Sequence, residues 1–220
     1  MIFMFYVVAT PIGNLEDMSF RAVRVLKEAD LILCEDTRVT RVLLAHFGII
    51  TKTISYHQHS GAMKHEKIAA LLAEGRTIAM VCDAGTPGLS DPGGRLVAYL
   101  YENGLKDIAA IPGPSAVSAA LSISGFPADN FLFLGFMPNK KGKLSLMKKI
   151  ADEQKTVVFY ESKHRIRRTL SALEQHIGSR SVFVGRELTK KFEQVYRGTI
   201  REILGTLLEK GEFVVIVEGK

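Results

Sequence analysis

Apolar positions fall along the chain in short solid blocks that alternate with amphipathic stretches. The run Ile2–Ala9 closes on the turn-forming Thr10-Pro11-Ile12-Gly13-Asn14. From Ser19 to Lys27 the apolar residues recur at helical spacing, with Ser19 placed as an N-cap. Leu31–Cys34 is a short buried strand, followed by Glu35-Asp36-Thr37-Arg38 and an amphipathic helix to about Phe47. Ile54–Tyr56 fits a strand, and a helix over Lys64–Glu74 stops at Gly75. Strand Thr77–Cys82, helix Gly93–Asn103 and strand Asp107–Ile111 complete this half. Strands separated by helices predict βαβ units and a mostly parallel sheet.

Beyond Pro112-Gly113-Pro114 the rhythm changes. A helix over Ser115–Ser122 precedes the apolar segment Phe131–Phe136 and then a Lys-rich stretch. Strands are expected at Thr156–Tyr160, Ser181–Val184, Gln194–Gly198 and Phe213–Val217, with helices over His164–His176 and Ile200–Lys210. The expectation is an α/β protein of two domains, residues 1–112 and 113–220. The second has three or four strands of mixed direction and sparse helices.

Composition narrows the class. Of 220 residues, 47% are hydrophobic and 24% charged, which excludes a disordered or fibrous chain. No apolar run reaches the roughly 18–20 residues that span a bilayer. No basic residue precedes the apolar start Met1–Val8, which fits a first strand better than a signal peptide. Cys34 and Cys82 sit in or beside apolar runs, as buried thiols of a cytoplasmic protein would. The Cys and His spacings match no metal site. Charge is divided unevenly: residues 1–110 carry 11 Lys and Arg against 12 Asp and Glu, residues 111–220 carry 18 against 11. A basic second half points to a polyanionic partner, or simply to a solvated surface.

Three segments carry candidate chemistry. Residues 9–14 form a glycine-containing turn after the first strand, which can bring backbone close to a ligand or serve only as a turn. Residues 82–94 hold Asp83, Asp91, four Gly and two Pro after a buried strand. Asp83 is placed to accept from an amine or hydroxyl, and Asp91 to cap the next helix. Residues 111–120 put small side chains after a rigid Pro-Gly-Pro corner, suited to packing on a planar ring or on another helix. Neither a dinucleotide fingerprint nor a triphosphate loop is present.

Together ATPIGNLEDMSFRAVRVLKEAD, EDTRVTRVLL, CDAGTPGLSDPG, IPGPSAVSAALSISGF and FYESKHRI resemble the ribosomal small-subunit RNA methyltransferase branch of the tetrapyrrole methylase superfamily, from about Tyr6 to Gly219. That branch contains cytidine 2′-O-methyltransferases. The resemblance implies S-adenosylmethionine held in a cleft between two α/β domains, the first sheet parallel and the second mixed. It implies cofactor contacts at Pro11, Ile12, Asp83, Gly85, Thr86, Ser115, Ala116, Tyr160, Glu161 and Leu188. It also implies a 16S rRNA substrate within the small subunit, and a homodimer. Tetrapyrrole-modifying relatives carry a Gly-Asp-Pro triplet where this chain has Cys82-Asp83-Ala84, a departure that favours RNA over a porphyrin. Members of the RNA branch continue past the last strand into a basic extension, whereas this sequence stops at Lys220.

Methyl transfer to a hydroxyl needs alignment and proton removal but no metal. Candidates bordering the reacting ribose are Asp36, Arg38, Glu187 and Lys190, with Glu35 a further possible base. Surface salt bridges are the plainer reading of each. Lys140, Lys141, Lys143, Lys163 and Arg165 are candidates for RNA phosphates. Phe131, Phe133, Phe136 and Tyr160 are either stacking platforms or core, and the polar loop Tyr56–His59 is a second possible RNA contact. Two other functions fit less closely: a corrinoid or porphyrin-precursor methylase, and a non-catalytic RNA-binding assembly factor.

Overall fold

A computed structural model describes residues 4–57, 60–91 and 93–220. The chain divides into two compact units, Met1–Ser115 and Ala116–Lys220. In the first, strands β1 (Met4–Val8), β2 (Leu31–Cys34), β3 (Thr53–Ser55), β4 (Thr77–Met80) and β5 (Ile108–Ile111) alternate with helices α1 (Phe20–Glu28), α2 (Thr37–His46), α3 (Ala62–Ala73) and α4 (Gly93–Glu102). All five strands are parallel, in the order β3-β2-β4-β1-β5. From β1 the chain steps one way to β2 and β3, then returns across the sheet to β4 and β5. Right-handed crossovers therefore put α1 and α2 on one face and α3 and α4 on the other.

The alternation within each strand serves both faces. Ile32 and Cys34 of β2 pack with Ala22, Val25 and Leu26 of α1 and Leu44 of α2. Leu31 and Leu33 pack with Ile68 and Leu72 of α3 and Leu96 and Leu100 of α4. A strand covered on both sides reads as a solid apolar run, which is why the sequence shows blocks rather than alternation. Ser19 caps α1, its hydroxyl accepting from the Ala22 N–H at 3.1 Å. Both cysteines are buried free thiols.

The second unit holds α5 (Ala116–Ser124), β6 (Phe131–Phe136), α6 (Lys143–Asp152), β7 (Thr156–Ser162), α7 (Ile166–Ile177), β8 (Val182–Arg186), β9 (Gln194–Gly198), α8 (Ile200–Thr206) and β10 (Glu212–Val217). The sheet order is β6-β7-β10-β8-β9, with β6 parallel to β7 and the other pairs antiparallel. Phe159, Val215 and Val217 pack under Met147 and Ile150 of α6, Leu170 and Leu173 of α7 and Ile200 of α8.

This unit corrects three expectations. It has five strands, not three or four, and its helices are not sparse. The Lys-rich stretch runs into helix α6, which turns Met147 and Ile150 inward and Lys148 and Lys149 outward. Helix α8 stops at Thr206 rather than Lys210, because Leu207 already has extended backbone. No described helix is long and apolar enough to cross a membrane.

Candidate active site

A parallel sheet delivers every strand's carboxyl end to one edge, where open α/β sheets take their ligands. Here that edge gathers Thr10–Ile12 after β1, Glu35 and Asp36 after β2, Tyr56 and His57 after β3, Asp83–Gly88 after β4 and Pro112–Ser115 after β5. The β1 and β4 loops are stitched together: Thr10 and Gly85 exchange backbone hydrogen bonds at 2.9 and 3.0 Å, and the Thr10 hydroxyl donates to the Cys82 carbonyl at 3.3 Å. Gly85 adopts φ +84°, and a Cβ there would meet Ile12 Cγ2 at 3.4 Å and the Pro114 carbonyl at 3.8 Å. Thr86 donates to that carbonyl at 3.0 Å, tying the β4 loop to the β5 loop. The structure thus brings Ile12, Gly85, Thr86 and Pro114 together, with Pro11 buried beneath and Ser115 half-buried beside them. Asp91 does cap α4, accepting from Gly93 N–H at 2.8 Å and from Gly88 N–H at 2.7 Å. Pro92, Gln58 and His59 lie outside the described residues.

Four carboxylates crowd this edge in different states. Asp83 is exposed but accepts the Asp36 backbone N–H at 3.0 Å. Asp36 caps α2 and takes a forked contact from Arg38, Nη2 to Oδ2 at 2.6 Å. The Arg38 guanidinium and backbone N–H hold the Asp36 carboxyl down at about 2. So low a value makes Asp36 a poor base and leaves Asp36 and Arg38 an exposed ion pair. Glu35 is the exception. It is half-buried, and its carboxylate has no hydrogen-bond or ion-pair partner among the described residues. Burial, then the charges of Asp83 and Asp91, push its pKa up, with His57 opposing. A carboxylate whose pKa is raised by burial, and whose oxygens have no partner among the described residues, is suited to accept a proton.

In the second unit, Glu187 sits at φ +52° after β8. Its carboxylate accepts from Lys190 Nζ at 3.1 Å and from the Glu212 N–H at 2.9 Å, and Lys190 also reaches Glu212 Oε2 at 2.6 Å. Burial alone would raise the Glu187 pKa, but the Glu212 N–H and Lys190 outweigh it and lower it. Burial likewise pulls Lys190 down, yet the two carboxylates raise it. Each partner is stabilised in its charged form by the other. Leu188 is buried and folds back over Gly185.

Glu161 is fully buried, and its carboxylate points into the fold. It is ion-paired with Arg165 Nη2 at 2.7 Å and accepts from Thr169 Oγ1 at 2.7 Å and the Ser162 N–H at 2.8 Å. Lys143 donates to Thr169 at 2.8 Å, and Arg165 also donates to the Met137 carbonyl at 2.9 Å and to Asn139. Lys143 and Arg165 therefore serve the interior of the unit, while Lys140, Lys141 and Lys163 are exposed. Pairing across 26 residues, as between Lys143 and Thr169, leaves no sequence signal. The β6 aromatics are not core: Phe131 and Phe136 are exposed at the sheet's edge, and Phe133 and Phe136 flank Tyr160 with ring centroids 5.1 and 5.3 Å away. Tyr56, expected in a loose loop, is buried with its hydroxyl 2.9 Å from His65 Nε2.

The match to a family of methylases gives the class that this two-unit α/β architecture belongs to. The sequence signature of the family described as "Tetrapyrrole (Corrin/Porphyrin) Methylases" spans residues 4–204, and the chain belongs to that family. Within it, the chain is 48% identical over 218 residues to a Halalkalibacterium halodurans protein named ribosomal RNA small subunit methyltransferase I, covering 97% of this chain and 75% of the relative. Relatives of the same name in Escherichia coli O157:H7 and Thermotoga maritima are 45% and 41% identical, each over 97% of this chain and over 77% and 97% of their own. Among solved structures, diphthine synthase matches with a TM-score of 0.78 at 12% identity, covering 99% of this chain and 90% of its own. The methyltransferase CobJ matches at 0.71 and 19%, covering 98% and 94%. At such identities the likeness is one of fold.

Proposed function

We propose that the chain methylates the ribose 2′-hydroxyl of a cytidine in 16S rRNA of the small ribosomal subunit, using S-adenosylmethionine, with Glu35 as the group that accepts the hydroxyl proton. The reading rests on one observation above the rest: a half-buried carboxylate, Glu35, with no hydrogen-bond or ion-pair partner among the described residues, stands at the sheet edge beside the glycine-built Asp83–Gly88 loop. The relatives' shared name supports the rRNA substrate.

The residues present fit the cofactor. Gly85 leaves open the space a Cβ would fill between Ile12 and Pro114, suited to a flat ring, and exposed Asp83 offers a carboxylate to an amine or ribose hydroxyl. Pro11, Ile12, Asp83, Gly85, Thr86 and Ser115 are assigned to hold it, with Ala116, Tyr160 and Leu188 as further contacts. Glu161 is assigned an interior structural role rather than a cofactor contact, since its carboxylate is spent inside the unit. When bound, the cofactor supplies a sulfonium methyl already activated by its positive charge. The chain's own residues then align the ribose and remove its proton. The Glu35 carboxylate would accept that proton as the hydroxyl oxygen takes up the methyl group. Asp36 and Arg38 act as an orienting pair beside it, not as acid or base. Exposed Lys140, Lys141 and Lys163 are assigned to phosphates, which makes RNA affinity fall steeply with salt. The protein acts in the cytoplasm as a homodimer.

The test incubates the purified chain with methyl-tritiated S-adenosylmethionine and isolated small subunits, then digests the rRNA to nucleosides. Label in 2′-O-methylcytidine is expected. Label on a base overturns the reaction. Label only in an added tetrapyrrole precursor, or no cofactor binding by calorimetry, overturns the reading altogether.

A further inference from the structure

The near-neutral charge of residues 1–110 conceals a segregation that the fold makes visible. Helices α1 and α2 lie side by side on one face of the first sheet. Between them they carry Arg21, Arg24, Lys27, Arg38 and Arg41, with Glu28 as their only acid. The remaining residues of 1–110 carry six Lys and Arg against eleven Asp and Glu. One outer face of an acidic unit is therefore basic. Along it runs an open groove of about 640 Å³, lined by Met18, Phe20, Val23, His46 and Phe47 with Arg24, Lys27 and Glu28 at its side; Arg24 is ion-paired with Glu28 at 2.8 Å, a solvent-exposed pair that a phosphate can displace, while Lys27 has no such partner among the described residues.

The groove's aromatic groups are unusually available. Phe20 opens α1 with 97% of its surface exposed, although α1 has a well-packed inner face of Ala22, Val25 and Leu26 that could not use it. Across the groove His46 meets Phe47 edge-on, with centroids 4.8 Å apart and planes at 85°. Rings offered to solvent with guanidinium and ammonium groups one helical turn away match single-stranded nucleic acid. Every base has a face to stack, and its phosphate lies within reach of a long cation. An apolar protein segment would ask for a continuous apolar stripe, whereas here Phe20 and Val23 each sit beside an arginine.

We infer that the α1–α2 groove of the first unit is a second RNA contact, stacking unpaired bases on Phe20 and the His46–Phe47 pair and pairing their phosphates with Arg24 and Lys27. The inference rests on the proposed RNA substrate and extends the footprint beyond the basic half of the chain. The groove lies on a helical face of the sheet, separate from the carboxyl edge, so it acts on RNA affinity and register rather than on the transfer step.

The test uses the whole chain and a fluorescein-labelled single-stranded RNA 20-mer of mixed sequence. Anisotropy titrations compare the parent with Phe20→Ala, Phe20→Tyr and the double change Arg24→Gln, Lys27→Gln, and calorimetry with S-adenosylmethionine checks that each variant is intact. Phe20→Ala should weaken RNA binding about five-fold or more, and Phe20→Tyr should restore it. The double change should flatten the salt dependence. With 4-thiouridine in the probe, crosslinks should fall within residues 18–28 and 46–47. The inference is overturned if the parent binds RNA with steep salt dependence while all three variants match it within about two-fold, or if Phe20→Ala leaves RNA affinity intact but dissociates a dimer in sedimentation, which would assign the groove to a second copy. A parent that neither binds the RNA nor methylates small subunits overturns the underlying functional reading instead.

Discussion

Replacing Glu161 by Gln probes the buried network of the second unit. The carboxylate is ion-paired with Arg165 at 2.7 Å and accepts two hydrogen bonds, from Thr169 at 2.7 Å and the Ser162 N–H at 2.8 Å. A Gln side chain keeps one carbonyl oxygen, but its amide faces at least one of these donors and cannot accept. Removing one partner of a buried ion pair costs about 3–5 kcal/mol when the other is stranded. The Arg165 side chain is 24% exposed and retains the Met137 carbonyl, so water offsets part of that. A loss of about 2–3 kcal/mol follows, or roughly 5–10 °C in melting temperature for a chain of this length. Thr169→Val should cost less, about 1–2 kcal/mol, by stranding Lys143 and one carboxylate oxygen. Because the two residues share a network, the double variant should cost less than their sum. Far-UV circular dichroism on heating measures the shift, and calorimetry well below the transition measures S-adenosylmethionine affinity. A Glu161→Gln protein melting within about 2 °C of the parent, or one that melts as expected but has lost cofactor affinity, would refute a purely interior role for this carboxylate.

Three further outcomes follow from the first unit. Glu35→Gln should lower single-turnover methyl transfer by about 10²–10⁴-fold. In the parent the rate should fall as pH drops through a value above the ordinary glutamate 4.5, since the base must be ionised. The same raised pKa means the native state binds the proton more tightly than the unfolded chain does, so ionised Glu35 destabilises the fold. Glu35→Gln should therefore raise the melting temperature at neutral pH while destroying activity. Asp36 has the opposite sign: its carboxyl is held at about 2, so its contribution is complete above its unfolded value of 3.8 and fades as pH falls toward 2. Urea titrations across that window should show Asp36→Asn with the shallower pH dependence. Gly85→Ala forces a side chain into φ +84°, at a cost of about 1–2 kcal/mol, and should weaken cofactor binding measured by calorimetry.

The first unit was legible because local and tertiary signals agree there. Solid apolar runs mark strands buried on both faces, and Leu31–Cys34 needed no adjustment. Ser19 announces a helix start because a short polar side chain satisfies a free N–H group in the first turn, and Asp36 does the same for α2. In the second unit the signals compete. The lysines of Lys143–Asp152 advertise a surface, while Leu146, Met147 and Ile150 supply a helical stripe that decides the structure. Phe131 and Phe133 look like core on composition, but they lie in an edge strand whose register shifts between Phe133 and Phe136. Burial at an edge depends on what covers it, which no local pattern encodes.

The candidate site divides along the same line. Backbone devices could be read directly: a glycine-rich segment after a buried strand predicts a close approach, and Gly85 makes one. Charge states could not, because they are set by partners distant in sequence. Asp36 and Glu35 are neighbours in one motif, yet Arg38 two residues on fixes the first as an ion, while burial, and then Asp83 and Asp91 about fifty residues away, make the second harder to ionise. Lys140 and Lys143 are likewise near neighbours, and only the second meets a buried Thr169. Averaging charge over half the chain fails for the same reason, since it merges an acidic sheet edge with a basic helical face. The edge proposed to deprotonate a hydroxyl and the face proposed to grip a phosphate need opposite charge. A doubly wound sheet lets one unit carry both, because strand ends and helix faces are different surfaces of the same layer.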